Sequence, residues 1–161
     1  MRKQRIFALL VIISVIAADQ LTKLLSLSFL APESSVTVIP NVLEFRYVEN
    51  RGAAFGILSE HRWVFMILTA VAVIAMLVWV MLKKSSSKLL TTAIVLVVAG
   101  GIGNMIDRIF RGFVIDFINA IFVKFYVFNI ADCAVVIGCG LMILYVLIDV
   151  FKSRQSSEPK E

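Results

Sequence analysis

Residues 89–132 read LLTTAIVLVVAGGIGNMIDRIFRGFVIDFINAIFVKFYVFNIAD, and this stretch decides the fold. From Leu89 to Ile106 no side chain is charged, which approaches the roughly 20 apolar residues needed to cross a hydrocarbon core about 30 Å thick. The run closes on Asp107 and Arg108, a short extended piece carries Asp116, and a second apolar run opens just after Asn129 and continues to Phe151. Two membrane spans joined by a polar-studded connection at one membrane surface account for that order.

Working outward, Ile6–Leu30 and Trp63–Leu82 supply two further runs of spanning length. The chain has 161 residues, 60% of them hydrophobic, with a mean hydropathy of +0.95. Soluble domains hold roughly 45–50% apolar residues, so this one needs lipid around it. Long unbroken apolar runs argue against a transmembrane barrel, whose strands alternate. The expected fold is an all-α polytopic membrane protein of four transmembrane helices, about 6–30, 63–82, 89–106 and 130–151, forming one membrane domain over 1–161. Arg2, Lys3 and Arg5 before an apolar run also fit a cleavable signal peptide, but the run resumes after Lys23 and the remainder is itself membrane-bound.

The net charge of +5 is not gathered on one polar stretch, which argues against a nucleic-acid partner. The basic residues read instead as topology signals. Arg2, Lys3, Arg5, Lys83, Lys84, Lys88, Lys152, Arg154 and Lys160 flank one set of span ends, while Arg46, Arg51, Arg62, Arg108, Arg111 and Lys124 are spread over the longer opposite segments. Positive-inside then places both termini in the cytoplasm and segments 31–62 and 108–128 outside it. Within the first, VTVIPNVLEFRYV (36–48) alternates Leu43, Phe45 and Tyr47 with Glu44 and Arg46, the pattern of a small β-rich element lying on the membrane. Phe113–Ile118 is a second extended piece. The Ser-rich charged tail, 152–161, is expected to be disordered.

Cys133 and Cys139 would lie about 9 Å apart along one helix, too far for a disulfide, and are read as small packing residues. His61 stands alone, so no metal-ligand spacing exists, and it is read as a surface loop residue.

Ionisable residues at membrane depth cost roughly 2.5–3.5 kcal/mol each on insertion scales, so Asp19, Lys23, Asp107, Asp116 and Asp132 need a reason. All fall near the outer ends of spans or in the outer segments. Asp19 and Lys23 are four apart in the favoured order for an intrahelical ion pair, with a bracing role. Gly100, Asn104 and Asp107 share a helix face, and Arg111 lies within reach of Asp107. Asn129 is a suitable N-cap for the last span, which puts Asp132 in its first turn at the positive end of the helix dipole. Asp116 has no cationic neighbour in its own apolar strand, and those surroundings favour its protonated form. Two carboxylates within hydrogen-bond reach share a proton, so that one activates water while the other protonates a carbonyl oxygen. Other peptidase chemistries are poorly supplied, with Lys23 and Ser26 a weak serine–lysine alternative. Spacing alone leaves open whether Asp116 and Asp132 meet, and leaves a proton-relay transporter and a non-enzymatic assembly factor as rivals.

DQLTK (19–23), ENRGAAFG (49–56), GGIGNMIDR (100–108), VIDF (114–117) and FNIAD (128–132), in that order, resemble the lipoprotein signal peptidases, the signal peptidase II family. With the length and the spans, the resemblance covers essentially the whole chain. It implies an aspartic endopeptidase of the bacterial cytoplasmic membrane that cleaves prolipoproteins before the diacylglyceryl-modified cysteine, at the extracytoplasmic face. It further implies a dyad of Asp116 and Asp132, with Asp19, Lys23, Asn50, Gly52, Asn104, Asp107, Arg108 and Asn129 positioning substrate or bracing the site. Membrane lipid as a neighbour, inhibition by globomycin-like cyclic peptides, and no metal or organic cofactor complete what the resemblance implies.

Overall fold

The computed structural model describes residues 2–31, 35–52, 62–82, 87–123 and 125–157. In chain order the elements are α1 (Arg2–Phe29), β1 (Ser35–Ile39), β2 (Leu43–Asn50), α2 (Arg62–Leu82), α3 (Lys88–Phe110), β3 (Val114–Ala120) and α4 (Ile130–Ser157). The chain is thus mostly helical with one three-stranded antiparallel sheet in the order β1-β2-β3. Among the described residues, α1, α3 and α4 are long and apolar enough to cross a membrane, and α2 contributes a shorter apolar stretch, Met66–Leu82.

Helix α3 is the centre of the bundle and packs against α1, α2 and α4. Its own residues explain that position: Val95, Val98 and Ala99 are fully enclosed and join Ala8 and Ile12 of α1 with Val73 and Val80 of α2 in one apolar cluster. Large apolar side chains face outward instead, as Ile67, Val136 and Ile143 do. That inversion suits a lipid solvent, where small residues let helices approach and bulky ones meet acyl chains. Gly100 shows why size matters: a Cβ there would land on the Ala131 carbonyl oxygen and 2.8 Å from Val135 Cγ2.

Both connecting elements form where the patterns place them. β1 and β2 pair through Val36↔Phe45 around a turn in which Asn41 takes a φ of 60°, a conformation its short polar side chain tolerates. β2 pairs with β3 through Val48↔Asp116 and Asn50↔Val114. Val114 to Phe117 are all buried, so β3 is the inner strand against the bundle.

Three boundaries differ from expectation. α3 runs on past Ile106 to Phe110, so Arg108 stands on the helix with Asp107 rather than in the connection. It stops at Arg111 and Gly112, whose N–H groups both return to the Asp107 carbonyl, Gly112 with a φ of 82°. α4 continues past Phe151 through Ser157, so 152–157, expected as disordered tail, are helical; Lys152 and Arg154 suit the negative end of the helix dipole. Arg2, Lys3 and Arg5 are the first turns of α1 rather than a flank. Cys133 and Cys139 are free thiols, but Cys139 is exposed on the outer face and packs nothing inside. His61, Lys83, Lys84, Lys124 and 53–56 of the second motif lie outside the described residues.

Candidate active site

The inward stripe of α1 runs Ala8, Ile12, Asp19, Lys23, Ser26, the spacing of one helix face. Asp19 and Lys23 are completely buried on it. Lys23 Nζ donates to Asp19 Oδ2 at 2.8 Å and to Asn104 Oδ1 at 3.0 Å, and pairs with Asp107 Oδ2 at 3.0 Å. Asp107 also receives Arg111, its i+4 neighbour, and Gln20 at 3.2 Å on Oδ1, and the Ile115 N–H at 3.2 Å on Oδ2. Asp19 Oδ1 accepts the Ala131 N–H at 2.9 Å, so a carboxylate from α1 caps the first turn of α4. This cluster of two carboxylates and two cations ties α1, α3, β3 and α4 together. Gly103 is where α3 makes room for it, since a Cβ there would come 2.7 Å from Asp19 Oδ2.

Beside it lies a second layer built from asparagines. The Asn104 amide donates to Asp132 Oδ1 at 2.7 Å while its oxygen accepts from both Lys23 and Asn129, the latter at 3.1 Å. Asn129 is the N-cap of α4: its Oδ1 accepts the Asp132 N–H at 2.9 Å, and Asp132 Oδ2 accepts the Asn129 N–H at 3.2 Å, a reciprocal capping box. The Asn129 amide also donates to Asp116 Oδ1 at 2.6 Å. With the Ile115 carbonyl at 3.3 Å and Asn104 at 3.1 Å, three acceptors share its two hydrogens. Asn50 closes the ring, donating to Asp116 Oδ2 at 2.9 Å and accepting the Gly52 N–H at 3.1 Å.

Asp116 and Asp132 therefore hang on one amide network, each oxygen accepting at least one hydrogen bond. Among the described residues neither forms an ion pair. Burial pushes the Asp116 carboxyl up to about 6 from 3.8; the Asp132 charge adds to the rise, and the Asn50 and Asn129 hydrogen bonds with the Lys23 charge oppose it. A carboxyl of this kind both holds and releases a proton near neutrality.

The expected residues divide cleanly. Asp19, Lys23 and Asp107 form the ion cluster, Asn104 and Asn129 bridge it to Asp116 and Asp132, and Asn50 and Gly52 form a turn against Asp116. Arg108 lies within electrostatic range of Asp107, Asp116 and Asp132, with a guanidinium contact to the Gly52 carbonyl at 3.5 Å. Lys23 and Ser26 are not brought together: Lys23 Nζ is consumed by two carboxylates and an amide, and Ser26 Oγ bonds to nothing among the described residues. Gln20 went unrecognised. It bonds Asp19 at 3.1 Å and Asp107, and accepts from Arg111 at 3.2 Å; the available signal was a polar side chain beside Asp19 in an otherwise apolar span. Among the described residues no group of His, Cys, Asp and Glu has the makings of a metal site.

Three comparisons bear on this arrangement. Residues 11–148 match the family described as Signal peptidase (SPase) II. A lipoprotein signal peptidase of Clostridioides difficile (strain 630) is 40% identical over 148 residues, 91% of this chain and 98% of that one. One of Halothermothrix orenii is 40% identical over 137 residues, 85% and 92% of the two chains. A solved structure described as a bacterial membrane enzyme superposes with a TM-score of 0.84 at 35% identity, over 96% of this chain and 93% of that one.

Proposed function

The chain belongs to the lipoprotein signal peptidase (signal peptidase II) family, and from that membership we propose that it hydrolyses the signal peptide from prolipoproteins with Asp116 and Asp132 as an aspartic dyad. Membership and the apolar helices make it a multi-pass bacterial membrane protein whose substrates are prolipoproteins. The observation that carries the finer reading is the convergence of two carboxylates on Asn104 and Asn129 with amide donors and, among the described residues, no ion pair. Such a pair holds one proton between its members.

The dyad lies beside a buried face of the sheet, and its work follows from that arrangement. One carboxylate takes a proton from a water as the water oxygen attacks the scissile carbonyl. The partner gives its proton to the carbonyl oxygen, forming a gem-diol. Collapse of the diol breaks the C–N bond, the leaving nitrogen takes a proton back, and the dyad returns to its singly protonated form. The raised Asp116 carboxyl suits it to carry the shared proton.

The scissile bond on this reading lies just before a diacylglyceryl-modified cysteine, whose acyl chains stay in the bilayer. β2 and the Asn50–Gly52 turn then cover it from the extracytoplasmic side, and globomycin-like cyclic peptides compete for the same place. Basic residues at the opposite span ends favour cytoplasmic termini. α2 serves as a fourth crossing on this reading, its 21 residues extending about 32 Å at 1.5 Å per residue. A proton-relay transporter is disfavoured because the polar residues gather at one end of the bundle instead of lining a path through it.

The deciding experiment is cleavage of a diacylglyceryl-modified prolipoprotein in nanodiscs by the wild-type chain, Asp116→Asn and Asp132→Asn, with folding checked by circular dichroism. Both folded variants are expected to lose at least roughly a thousandfold in kcat. Persistent cleavage by either one overturns the dyad.

A further inference from the structure

Away from the carboxylates, the last two turns of α1 and the inner strands of the sheet enclose a cleft of about 250 Å³. Leu25 and Phe29 of α1 form one wall and Phe45 and Phe117, packed edge to face at 6.1 Å, form the other. Leu25 and Phe29 are also open to the outside, so the cleft communicates with the bundle's lipid-facing surface.

Two polar side chains, Thr22 and Ser26, interrupt the apolar lining. Ser26 is 3% exposed, and its Oγ has no hydrogen-bond partner among the described residues. Its neighbour Thr22 returns its hydroxyl to the Ala18 carbonyl at 2.8 Å, the usual solution on a helix, and Ser26 does not. An enclosed hydroxyl without a partner is destabilising, a penalty that a ligand bearing an acceptor removes.

Depth identifies that ligand. The 28 residues of α1 extend about 42 Å, matching a bilayer of about 40–45 Å with its headgroup regions included. Ser26 lies less than one turn from the end of the helix, the level at which acyl chains meet their ester groups. An apolar chain to fill the cleft and a carbonyl acceptor at that level together describe a glycerolipid. A docking helix is about 10 Å across, too broad for this space, and its backbone carbonyls are already bonded within the helix.

We propose that the cleft seats a resident glycerolipid of the surrounding bilayer, an acyl chain lying between Leu25, Phe29, Phe45 and Phe117 while its ester carbonyl accepts from Ser26 Oγ. Phe117 follows Asp116 directly, and successive strand residues point to opposite faces. The lipid therefore occupies the face of β3 away from the dyad and wedges between α1 and the strand that carries Asp116. It is a separate site from the one that receives the prolipoprotein, and it does not depend on the aspartic mechanism.

The test reconstitutes the full chain, without substrate, in nanodiscs of phosphatidylglycerol carrying a diazirine beside the acyl ester, and maps photoadducts by peptide mass spectrometry. Adducts are expected at Phe45 and Phe117, reduced about fivefold in Ser26→Ala by loss of one net hydrogen bond and reduced further in Ser26→Leu, whose side chain also intrudes where the ester would sit. Labelling of Val136 and Ile143, which face the bilayer on α4, stays constant and reports that each variant is folded. Absence of adducts at Phe45 and Phe117, equal labelling in wild type and Ser26→Ala, or labelling that requires an added diacylglyceryl-modified peptide overturns the proposal.

Discussion

Four carboxylates gather at one end of the bundle in two pairs that keep opposite company. Asp19 and Asp107 are met by Lys23 and Arg111, and each also accepts a backbone N–H from a neighbouring element. Asp116 and Asp132 are met by the amides of Asn50, Asn104 and Asn129 and form no ion pair among the described residues. A cation at contact distance gives a buried carboxylate a compensating partner, which suits a brace. A neutral amide holds a carboxylate in place without neutralising it, which suits chemistry. Asn104 joins the two regions, since its oxygen accepts from Lys23 and its amide donates to Asp132.

The sharpest way to break this division is to remove the cation. In Lys23→Met two buried carboxylates face each other with less compensation, and such a loss costs about 3–5 kcal/mol. Unfolding in detergent is expected at a markedly lower midpoint than wild type, with part of the loss recovered in the Lys23→Met/Asp107→Asn double variant, where one buried charge disappears. A midpoint equal to wild type would mean the cluster is not a brace.

The second test asks the reverse of the amide region. The Asp116 carboxyl is displaced from 3.8 to about 6, so between those values the folded chain holds a proton the unfolded chain has released. Stability must then fall as pH rises through that window, levelling above about 6 at a deficit of about 3 kcal/mol relative to acid conditions. Asp116→Asn carries no titrating group there. Its unfolding free energy is expected to gain on wild type from about pH 4 to about pH 6 and to hold that gain above, and parallel curves would show that Asp116 is not held against its own ionisation.

How much of this the sequence disclosed differs between the two regions. The Asp19–Lys23 pair and the Asp107–Arg111 pair were legible because both are local, four residues apart on a helix. The Asn129 cap was legible for the same reason. What spacing could not disclose is that Asp19 reaches Ala131 and that Asn50 reaches Asp116, contacts bridging 112 and 66 residues. The first depends on how close α1, α3 and α4 approach, which is set by small residues such as Gly100 and Gly103 rather than by any periodic pattern, and the second on the register of β2 against β3. The ends of α3 and α4 were misjudged because hydropathy marks where a span leaves lipid, and a helix does not have to stop there.

The smallest expected effect separates the regions most finely, because it concerns one hydrogen bond. Asn50 donates to Asp116 and thereby favours the charged carboxylate, opposing the rise that burial imposes. In Asn50→Ala that restraint is gone, so the carboxyl is expected to hold its proton to still higher pH. A singly protonated dyad loses activity on the alkaline side when its remaining proton leaves. The alkaline limb of kcat/KM for prolipoprotein cleavage is therefore expected to move upward in Asn50→Ala, by about one pH unit or less, the scale of one net hydrogen bond of roughly 1 kcal/mol. Loss of the Asn50 acceptor also loosens the Gly52 turn. That disturbance lowers the whole profile without moving its limb, so a depressed but unshifted profile would assign Asn50 to the turn and leave the proton balance of the dyad to burial and to Asn129.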